Sequence, residues 1–135
     1  MNKEFSWPIR VYYEDTDAAG VVYHSNYLKF MERARTEWLR SIGISQTELA
    51  KETGAIIVIS EVEMKFLLPA KLDDALEVTS RLAKVSGASF MIMQTITREE
   101  DVLCRADVKG VCLDALSFKP RRLPDQLKKG LNHVE

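Results

Sequence analysis

The sequence predicts an α+β domain in which one long central helix is wrapped by a curved antiparallel sheet of about five strands. Three observations predict this class. Only one long segment has the apolar spacing of a helix, the other apolar segments alternate like strands, and short polar turns separate the last three of these. At 135 residues the chain has the length of one ordinary domain, so we expect a single domain over residues 1–135.

The first strand is expected at residues 7–14. Pro8 lies near its start, where a missing N–H group is tolerated. A sheet of this size in so short a chain leaves an edge unpaired, and edge-to-edge association of two copies would cover that edge. We therefore expect at least a homodimer.

The long helix is expected at residues 27–42, with its start near residues 24–26. Its apolar positions recur at steps of three and four, as one buried helix face requires, and are Tyr27, Phe30, Met31, Ala34, Trp38 and Ile42. Gly43 is a typical stop signal. Ser45 and Glu48 have the spacing of a capping box, which predicts a second, short helix ending near Glu52.

Four more strands are expected at residues 56–68, 76–85, 89–98 and 102–114. In the first of them the even positions are apolar and should share the core face: Ile56, Val58, Val62, Met64, Phe66 and Leu68. The other three are joined by short turns and should form an antiparallel meander. One face of the last strand should let a bulky group pack close to the sheet, because it consists of Val102, Cys104, Ala106, Val108 and Gly110.

Composition and charge exclude several classes of protein. The net charge is −1, so no overall positive field would attract nucleic acid or an anionic membrane. No uncharged stretch reaches the roughly 18–20 apolar residues of a membrane helix, and the first residues lack the apolar core of a secretory signal. We therefore expect a cytoplasmic protein in which Cys104 and Cys112 are reduced core thiols.

Metal and cofactor chemistry are not expected. The chain has two histidines, of which His133 lies in the tail, and its two cysteines lack the spacing of metal ligands.

The residues that can carry chemistry lie between the first strand and the long helix. Glu14 and Asp15 are expected to be solvated turn acids, whereas Asp17 stands a few residues ahead of the helix start. Gly20 lets the backbone turn sharply there. The first N–H groups of a helix are unpaired and carry partial positive charge, and a carboxylate beside such donors suits acyl transfer.

Taken singly, these residues have simpler explanations. Asp17 alone would be a structural cap ahead of the helix, and His24 alone a satisfied histidine at the helix start. Tyr13 and Tyr23 alone would be ordinary aromatic residues of a strand and a core.

Residues 13–27, YEDTDAAGVVYHSNY, followed by residues 32–37, ERARTE, resemble the signature of hotdog-fold acyl-CoA thioesterases. The resemblance is to the 4-hydroxybenzoyl-CoA thioesterase group, and within it to the bacterial branch associated with the Tol–Pal envelope system. Residues 7–35, 71–74 and 119–120 also fit that branch, so the resemblance covers most of the chain.

The resemblance implies a hotdog fold, dimers that often pair into homotetramers, and active sites at the dimer interface. It implies that Asp17 is the nucleophile or general base, and that the side chains of Tyr13 and His24 belong to the site. The backbone N–H near His24 would hold the thioester oxygen. The residues expected to bind the substrate around this oxyanion site are Gly20, Val21, Tyr23 and His24.

The resemblance also bears on the substrate. His24 stands where the hydroxybenzoyl enzyme has a tyrosine, which favours short-chain aliphatic acyl-CoA over aromatic substrates. Acyl carrier protein is a further expected partner, because the branch is linked to envelope maintenance and phospholipid synthesis. CoA itself would be part of the substrate, so no separate cofactor is implied.

The phosphates of CoA require cations or N–H donors. One candidate group is at a strand turn and comprises Lys84, Ser86, Gly87 and Ser89; the other is near the tail and comprises Lys119, Arg121 and Arg122. Each group also has the composition of a solvated surface patch.

Two rival functions remain open at this point. A hotdog enoyl-CoA hydratase would also combine an acid with a histidine, although the spacing of Asp17 and His24 fits the thioesterase pattern better. A non-catalytic adaptor that binds acyl-CoA or acyl carrier protein would use the same pocket without turnover.

Overall fold

The computed structural model describes residues 4–132, and His133 lies outside them. One five-stranded antiparallel sheet has the strand order β1-β3-β4-β5-β2, so β1 and β2 are its edges. The elements in chain order are β1 (Phe5–Arg10), a 3-10 turn (Tyr13–Asp15), α1 (His24–Ser41), α2 (Gln46–Thr53), β2 (Ala55–Phe66), β3 (Ala75–Ser86), β4 (Ser89–Arg98), β5 (Asp101–Asp114) and α3 (Asp125–Asn132). The predicted class, one long helix against about five antiparallel strands, is confirmed.

The α1 helix buries the apolar face that its sequence spacing predicts. Phe30, Met31 and Ala34 are fully buried, and Trp38 stacks on Phe5 of β1 with ring centroids 6.3 Å apart. The helix ends where expected, because Gly43 adopts a left-handed φ of 83°. This packing fixes the amino end of α1 relative to the sheet.

The predicted meander of β3, β4 and β5 is confirmed. The small-residue face of β5 is buried, and the bulky group that lies against it is an aromatic ring from the neighbouring strand. Phe90 of β4 stands directly opposite Gly110, and a Cβ atom at Gly110 would run into its ring. The glycine is therefore needed for close approach and not for backbone freedom.

The prediction that the even positions of β2 share the core face is wrong: only Ala55 of this strand is buried, and a bulge also changes which residues share a face in its first half. A bulge at Ser60 separates Ile59, which pairs with Gly110, from Glu61, which pairs with Lys109. Because one extra residue reverses the alternation of faces, the side chains that share a face are Ala55, Ile57, Ile59, Val62, Met64 and Phe66. Ile56 and Val58 lie on the opposite face.

Three further features of the secondary structure differ from expectation. The first strand ends at Arg10, because Val11 donates its N–H to Asp74 O and the chain then enters the 3-10 turn. The predicted capping box is wrong, since Ser45 precedes α2 without a side-chain cap hydrogen bond. The α3 helix was not predicted; it buries Leu127 and Leu131.

Both cysteines are free and buried, as expected. Burial raises the pKa of the Cys104 thiol to about 12, so this thiol is unreactive near neutral pH. Among the described residues no helix has the length and apolar character needed to cross a membrane.

Candidate active site

The loop between β1 and α1 folds into a small hairpin that presents Asp17. Asp17 N donates to Val21 O at 2.9 Å, and Gly20 N donates to Asp17 O at 3.0 Å. Gly20 has a φ of 81°, the left-handed conformation that closes a three-residue hairpin loop. The Asp17 carboxylate is exposed and accepts one hydrogen bond, from Ala19 N at 2.8 Å. The turn thus holds the carboxylate in a defined place ahead of α1.

Asp15 is not the solvated acid that the sequence suggested, because its side chain is only 4% exposed. Its Oδ1 accepts from Asn26 Nδ2 at 2.9 Å, and its Oδ2 accepts from Tyr12 N at 2.9 Å. Its carbonyl oxygen also accepts from Tyr23 N at 3.0 Å. Asp15 therefore joins both ends of the loop to the first turn of α1, while Glu14 is exposed as expected.

The amino end of α1 is open. The helix begins at His24, as predicted, and no side chain in the described part of the chain caps it. Asn26 N donates to Tyr23 O at 2.8 Å, whereas the N–H groups of His24 and Ser25 find no acceptor within residues 4–132. Two unpaired donors at the positive end of an 18-residue helix form a ready site for a developing oxyanion.

Aromatic neighbours orient the His24 imidazole. Its ring lies 4.4 Å from the ring of Tyr23 and 6.0 Å from that of Phe66, with the latter edge-on. Phe66 also contacts Tyr27, 5.4 Å away. The end of β2 thereby forms one wall beside the helix start.

The predicted catalytic side chains do not hydrogen-bond to one another in a single chain. The side chain of Tyr13 is 82% exposed, and within the described residues its hydroxyl has no hydrogen-bond partner. Neither Tyr13 nor His24 hydrogen-bonds to the Asp17 carboxylate. One protomer therefore supplies the residues on neighbouring segments but does not enclose them.

A second segment braces the loop from the side. Val22 N donates to Ala70 O at 2.9 Å, and Ala70 N donates to the Tyr27 hydroxyl at 3.0 Å. Burial raises the pKa of the Tyr27 hydroxyl, so it stays protonated. Val21 also forms a bridge with Lys71, so this segment supports the end of the loop that leads into α1.

An ion pair fixes the far end of that supporting segment. Asp74 Oδ2 accepts from Arg98 Nη1 and from Lys71 N, each at 2.8 Å. Burial alone would raise the pKa of Asp74, but the bonds from Arg98 and the Lys71 N–H outweigh it and lower the pKa below the usual value.

Part of the first candidate CoA group comes together on the sheet surface. Lys84, Ser86 and Ser89 line a shallow depression of about 260 Å³, together with Lys109 of β5, which sequence reasoning missed. Gly87, in the turn between β3 and β4, has a φ of 60° and accepts from Leu123 N through its carbonyl oxygen. Glu61 also lines the depression, so the depression carries both negative and positive charge.

The second candidate group does not join the first. Arg121 Nη1 donates to Thr53 O at 2.7 Å and lies 3.9 Å from Asp114 Oδ1. Its guanidinium thus fastens the end of α2 to the chain that follows β5. Lys119 and Arg122 are exposed nearby.

Sequence reasoning missed Asn26 and Phe66 as site-forming residues. No local sequence signal indicated Asn26, because the burial of its amide against Asp15 is visible only in the structure. Phe66 was assigned to the core, yet it is 51% exposed beside His24.

Known proteins match this chain over nearly its whole length. A family model described as the thioesterase-like superfamily matches residues 11–131. The chain is 41% identical over 135 residues to acyl-CoA thioesterase YbgC of Haemophilus influenzae, covering 100% of this chain and 99% of that protein. It is 46% identical over 124 residues to acyl-CoA thioester hydrolase YbgC of Escherichia coli, covering 91% and 92%.

Solved structures agree with these matches. A probable thioesterase from Bartonella henselae superposes with a TM-score of 0.84 at 38% identity, covering 90% of this chain and 100% of that one. The 1,4-dihydroxy-2-naphthoyl-CoA thioesterase Slr0204 from Synechocystis gives a TM-score of 0.89 at 27% identity, covering 96% of both chains.

Proposed function

Because the chain belongs to the thioesterase-like superfamily and is a thioester hydrolase, we propose that it cleaves short-chain aliphatic acyl-CoA thioesters where the Asp17 turn meets α1. The matches confirm the hotdog fold and the hydrolase class expected from the sequence. The Tol–Pal branch, a cytoplasmic location and the use of acyl carrier protein as an alternative thiol carrier belong to this proposal.

The open amino end of α1 is the observation that carries the proposal. The His24 and Ser25 N–H groups would bind the thioester oxygen as it gains negative charge, and one such donor is typically worth about 3–4 kcal/mol in the transition state. Asp17 would attack the carbonyl carbon or remove a proton from water, which as general base catalysis contributes about 10²–10⁴-fold. The thiolate of CoA then leaves without needing a metal.

The neighbouring side chains have positioning roles in this scheme. The His24 imidazole, held between Tyr23 and Phe66, would orient water or the Asp17 carboxylate. The Tyr13 hydroxyl would do the same once the site closes around substrate. Gly20 and Val21 leave the backbone open for approach of the carbonyl.

A second copy of the chain completes the site in this proposal. The β2 edge is unpaired within residues 4–132, and its core-side face stays open: Ile59 and Val62 are each 40% exposed. An exposed apolar edge strand of this length favours association. Pairing of β2 with the β2 strand of a second copy would cover this face and enclose the exposed Asp17. The resulting assembly would be a dimer or a pair of dimers.

Oligomeric state tests that arrangement. Val62→Lys places a charge on the open face, so sedimentation velocity should show monomers with little thioesterase activity. The wild-type chain should sediment as a dimer or tetramer. An active wild-type monomer would rule the shared site out.

The decisive experiment compares two acids of the same loop. Asp17→Asn keeps an acceptor for the Ala19 N–H, so the turn survives while the carboxylate is lost. We expect kcat for CoA release from short acyl-CoAs to fall about 10²–10⁴-fold, whereas Glu14→Gln, a change of an exposed acid, should stay within about twofold. Near wild-type turnover by Asp17→Asn would refute the assignment.

The same assays separate the rival functions. Loss of the enone absorbance of crotonyl-CoA without CoA release would indicate a hydratase. Tight acyl binding with negligible turnover would indicate an adaptor. A panel of acyl groups of increasing length then measures chain-length preference.

The depression around Lys84 is the proposed contact for the CoA phosphates. Lys84→Glu should raise KM with kcat little changed, because it alters binding away from the reacting atoms. Arg121→Glu makes the same test of the second candidate group, and it too should raise KM with kcat little changed if that group binds the phosphates. If neither variant changes KM, both candidate groups are discarded.

A further inference from the structure

A rigid turn after β5 presents two large apolar side chains to solvent. We call residues 115–118 the β5 turn; in it Leu116 is 93% exposed and Phe118 is 65% exposed. Asp114 Oδ2 accepts from Leu116 N at 3.1 Å and from Ser117 N at 2.9 Å, and Asp114 O accepts from Phe118 N at 2.8 Å. The bonds to the carboxylate, above all the one from the Ser117 N–H, lower the pKa of Asp114, so it is charged at neutral pH. The turn is therefore held in one conformation although its apolar side chains are left in water.

The backbone of Phe118 is strained. Its φ is 57°, a left-handed conformation that is unfavourable for a bulky residue and is usually adopted by glycine or asparagine. Such strain persists only where the surrounding structure enforces it, and it is concentrated at functional sites. An exposed aromatic ring on a strained and rigid turn indicates a surface that another molecule covers.

A second exposed apolar cluster lies at the other end of β2. Its members are Phe66, Leu67 and Leu68, which are 51%, 49% and 45% exposed, and we call them the β2 lip. The ring of Phe66 lies edge-on to that of His24, 6.0 Å away. The N–H groups of Leu67 and Leu68 both donate to Leu103 O, which ties the lip to β5. The lip therefore borders the start of α1.

One chain cannot bring the β5 turn and the β2 lip together. The turn follows Asp114, which pairs with Ala55, the first residue of β2, and Ala115 N donates to Gly54 O just before that strand. The lip begins at Phe66, the last residue of β2. The 12 residues of the strand rise about 3.3 Å each, so its two ends lie about 36 Å apart.

A two-fold axis perpendicular to the sheet at the middle of β2 does bring them together. Pairing of β2 with the same strand of a second copy about this axis is antiparallel, so the start of one strand lies beside the end of the other. Centring the pairing near Ser60 and Glu61 uses the whole strand and places the exposed Ile59 and Val62 of both copies beside the axis. The β5 turn of each copy then lies next to the β2 lip of the other.

The charges at the two ends of β2 favour the same arrangement. The loop before α1, residues 11–23, contains three acids and no cation. Residues 115–124, which form the β5 turn and the chain after it, contain three cations and no acid. Antiparallel pairing brings these unlike charges together, whereas parallel pairing would place like charges side by side.

We propose that the β5 turn of one copy forms a wall of the site in the other copy, with Leu116 and Phe118 packed against the β2 lip beside His24. This inference rests on the dimer and the Asp17 site proposed above, and it names the residues that the second copy contributes. The two side chains exclude water from the acyl group and from the carboxylate, which strengthens the electrostatic interactions of the site. They take no part in the proton transfers.

Cross-linking tests the juxtaposition without reference to activity. Cys104 and Cys112 are buried, so a cysteine introduced at an exposed position supplies the reactive thiol. When Leu116→Cys and Leu67→Cys chains are co-expressed, a short bismaleimide should join them into a covalent dimer on a denaturing gel. Either variant alone should remain unlinked, because identical positions lie at opposite ends of the assembly.

Mixed dimers test the wall itself. The turn variant combines Leu116→Ser with Phe118→Asn, since asparagine tolerates the left-handed backbone. It should sediment as a dimer and lose at least about tenfold in kcat/KM for acyl-CoA. Asp17→Asn removes the carboxylate but keeps the turn.

After subunit exchange at a 1:1 ratio, half of the dimers contain one chain of each kind, and each of these has one complete site. Activity per subunit should therefore rise to about one quarter of wild type, whereas a turn that served its own chain would leave it near one twentieth. Met93→Gln is the matched control. Its side chain is 38% exposed on the face of β4 away from α1, so its loss should leave activity and cross-linking unchanged.

The outcomes separate this inference from the proposals on which it rests. Absence of the mixed cross-link in a wild-type-like dimer, wild-type activity of the turn variant, or no gain of activity on mixing would overturn the shared wall. A monomeric wild-type chain would overturn both the wall and the dimer. Near wild-type turnover by Asp17→Asn would refute the role of that carboxylate, and the cross-link would still decide whether the β5 turn lies at the lip of the second copy.

Discussion

Exchanging Asp15 and Asn26 tests whether their buried pair holds the loop that carries Asp17 to α1. Asp15→Asn alone would place the new amide next to the Asn26 amide. Its single carbonyl oxygen could then accept from either Tyr12 N or Asn26 Nδ2, so one of these two buried donors would be left unpaired. Asn26→Asp alone would oppose two carboxylates. In the double variant the amide introduced at position 15 would accept from Tyr12 N and donate to the carboxylate introduced at position 26, so both hydrogen bonds are restored with the charge moved to the third helical residue.

The magnitudes follow from burial. Hydrogen bonds to a charged group contribute about 1.5–3 kcal/mol each, and an unpaired buried donor costs about 1–3 kcal/mol. We expect Asp15→Asn to lose about 2–3 kcal/mol of the free energy of unfolding. The double variant should return to within about 1 kcal/mol of wild type, because an acid in the first helical turn also interacts favourably with the helix dipole.

Urea unfolding of the four proteins gives the coupling free energy, and thioesterase assays give its functional effect. Both single variants should lose kcat, since the loop that carries Asp17 would shift relative to the helix start. If the double variant were no more stable than Asp15→Asn, the pair would not be the connection we describe.

Three further changes have defined outcomes. Gly20→Ala forces a left-handed φ on a residue with a Cβ and should cost about 1–2 kcal/mol and reduce kcat; Gly43→Ala carries the same backbone cost far from the loop and should keep kcat, as unfolding and activity assays will show. Gly110→Ala should lose about 1–3 kcal/mol in thermal unfolding, because its methyl group meets the ring packed there. Arg98→Met should lose about 1 kcal/mol of the free energy of unfolding at neutral pH. Because the pKa of Asp74 is lowered in the folded state, its stabilising contribution is present above the ordinary carboxyl pKa and disappears as pH falls through the folded pKa. The difference in stability between Arg98→Met and wild type should therefore narrow below about pH 4.

The elements that the sequence predicted well are those with a single strong periodicity. The α1 face and the β3–β5 meander depend on regular spacing and short turns, and their boundaries match within one residue at most ends. Spacing of this kind determines local structure with little help from the rest of the chain.

The errors arise where tertiary contacts override local pattern. Three acids in four positions look like a solvated turn, and nothing local shows that Asp15 turns inward to meet Asn26 eleven residues later. The α3 helix has a local signal, since Leu123, Leu127 and Leu131 recur every four residues after a loop, but the segment was too short and polar to be assigned. The missing walls of the active site are intermolecular in our proposal, and no pattern within one chain specifies them.

The bulge at Ser60 has a consequence for how this strand can vary among related chains. The extra residue at the bulge determines to which face of the sheet each earlier residue of β2 points. Deletion of Ser60 would therefore turn Ile57 and Ile59 outward to water and bring Ile56 and Val58 against α1. Changes in length at this point must therefore occur two residues at a time, or be matched by a shift in the opposing strand. Alignments that place a single gap here would mispair every upstream position of β2.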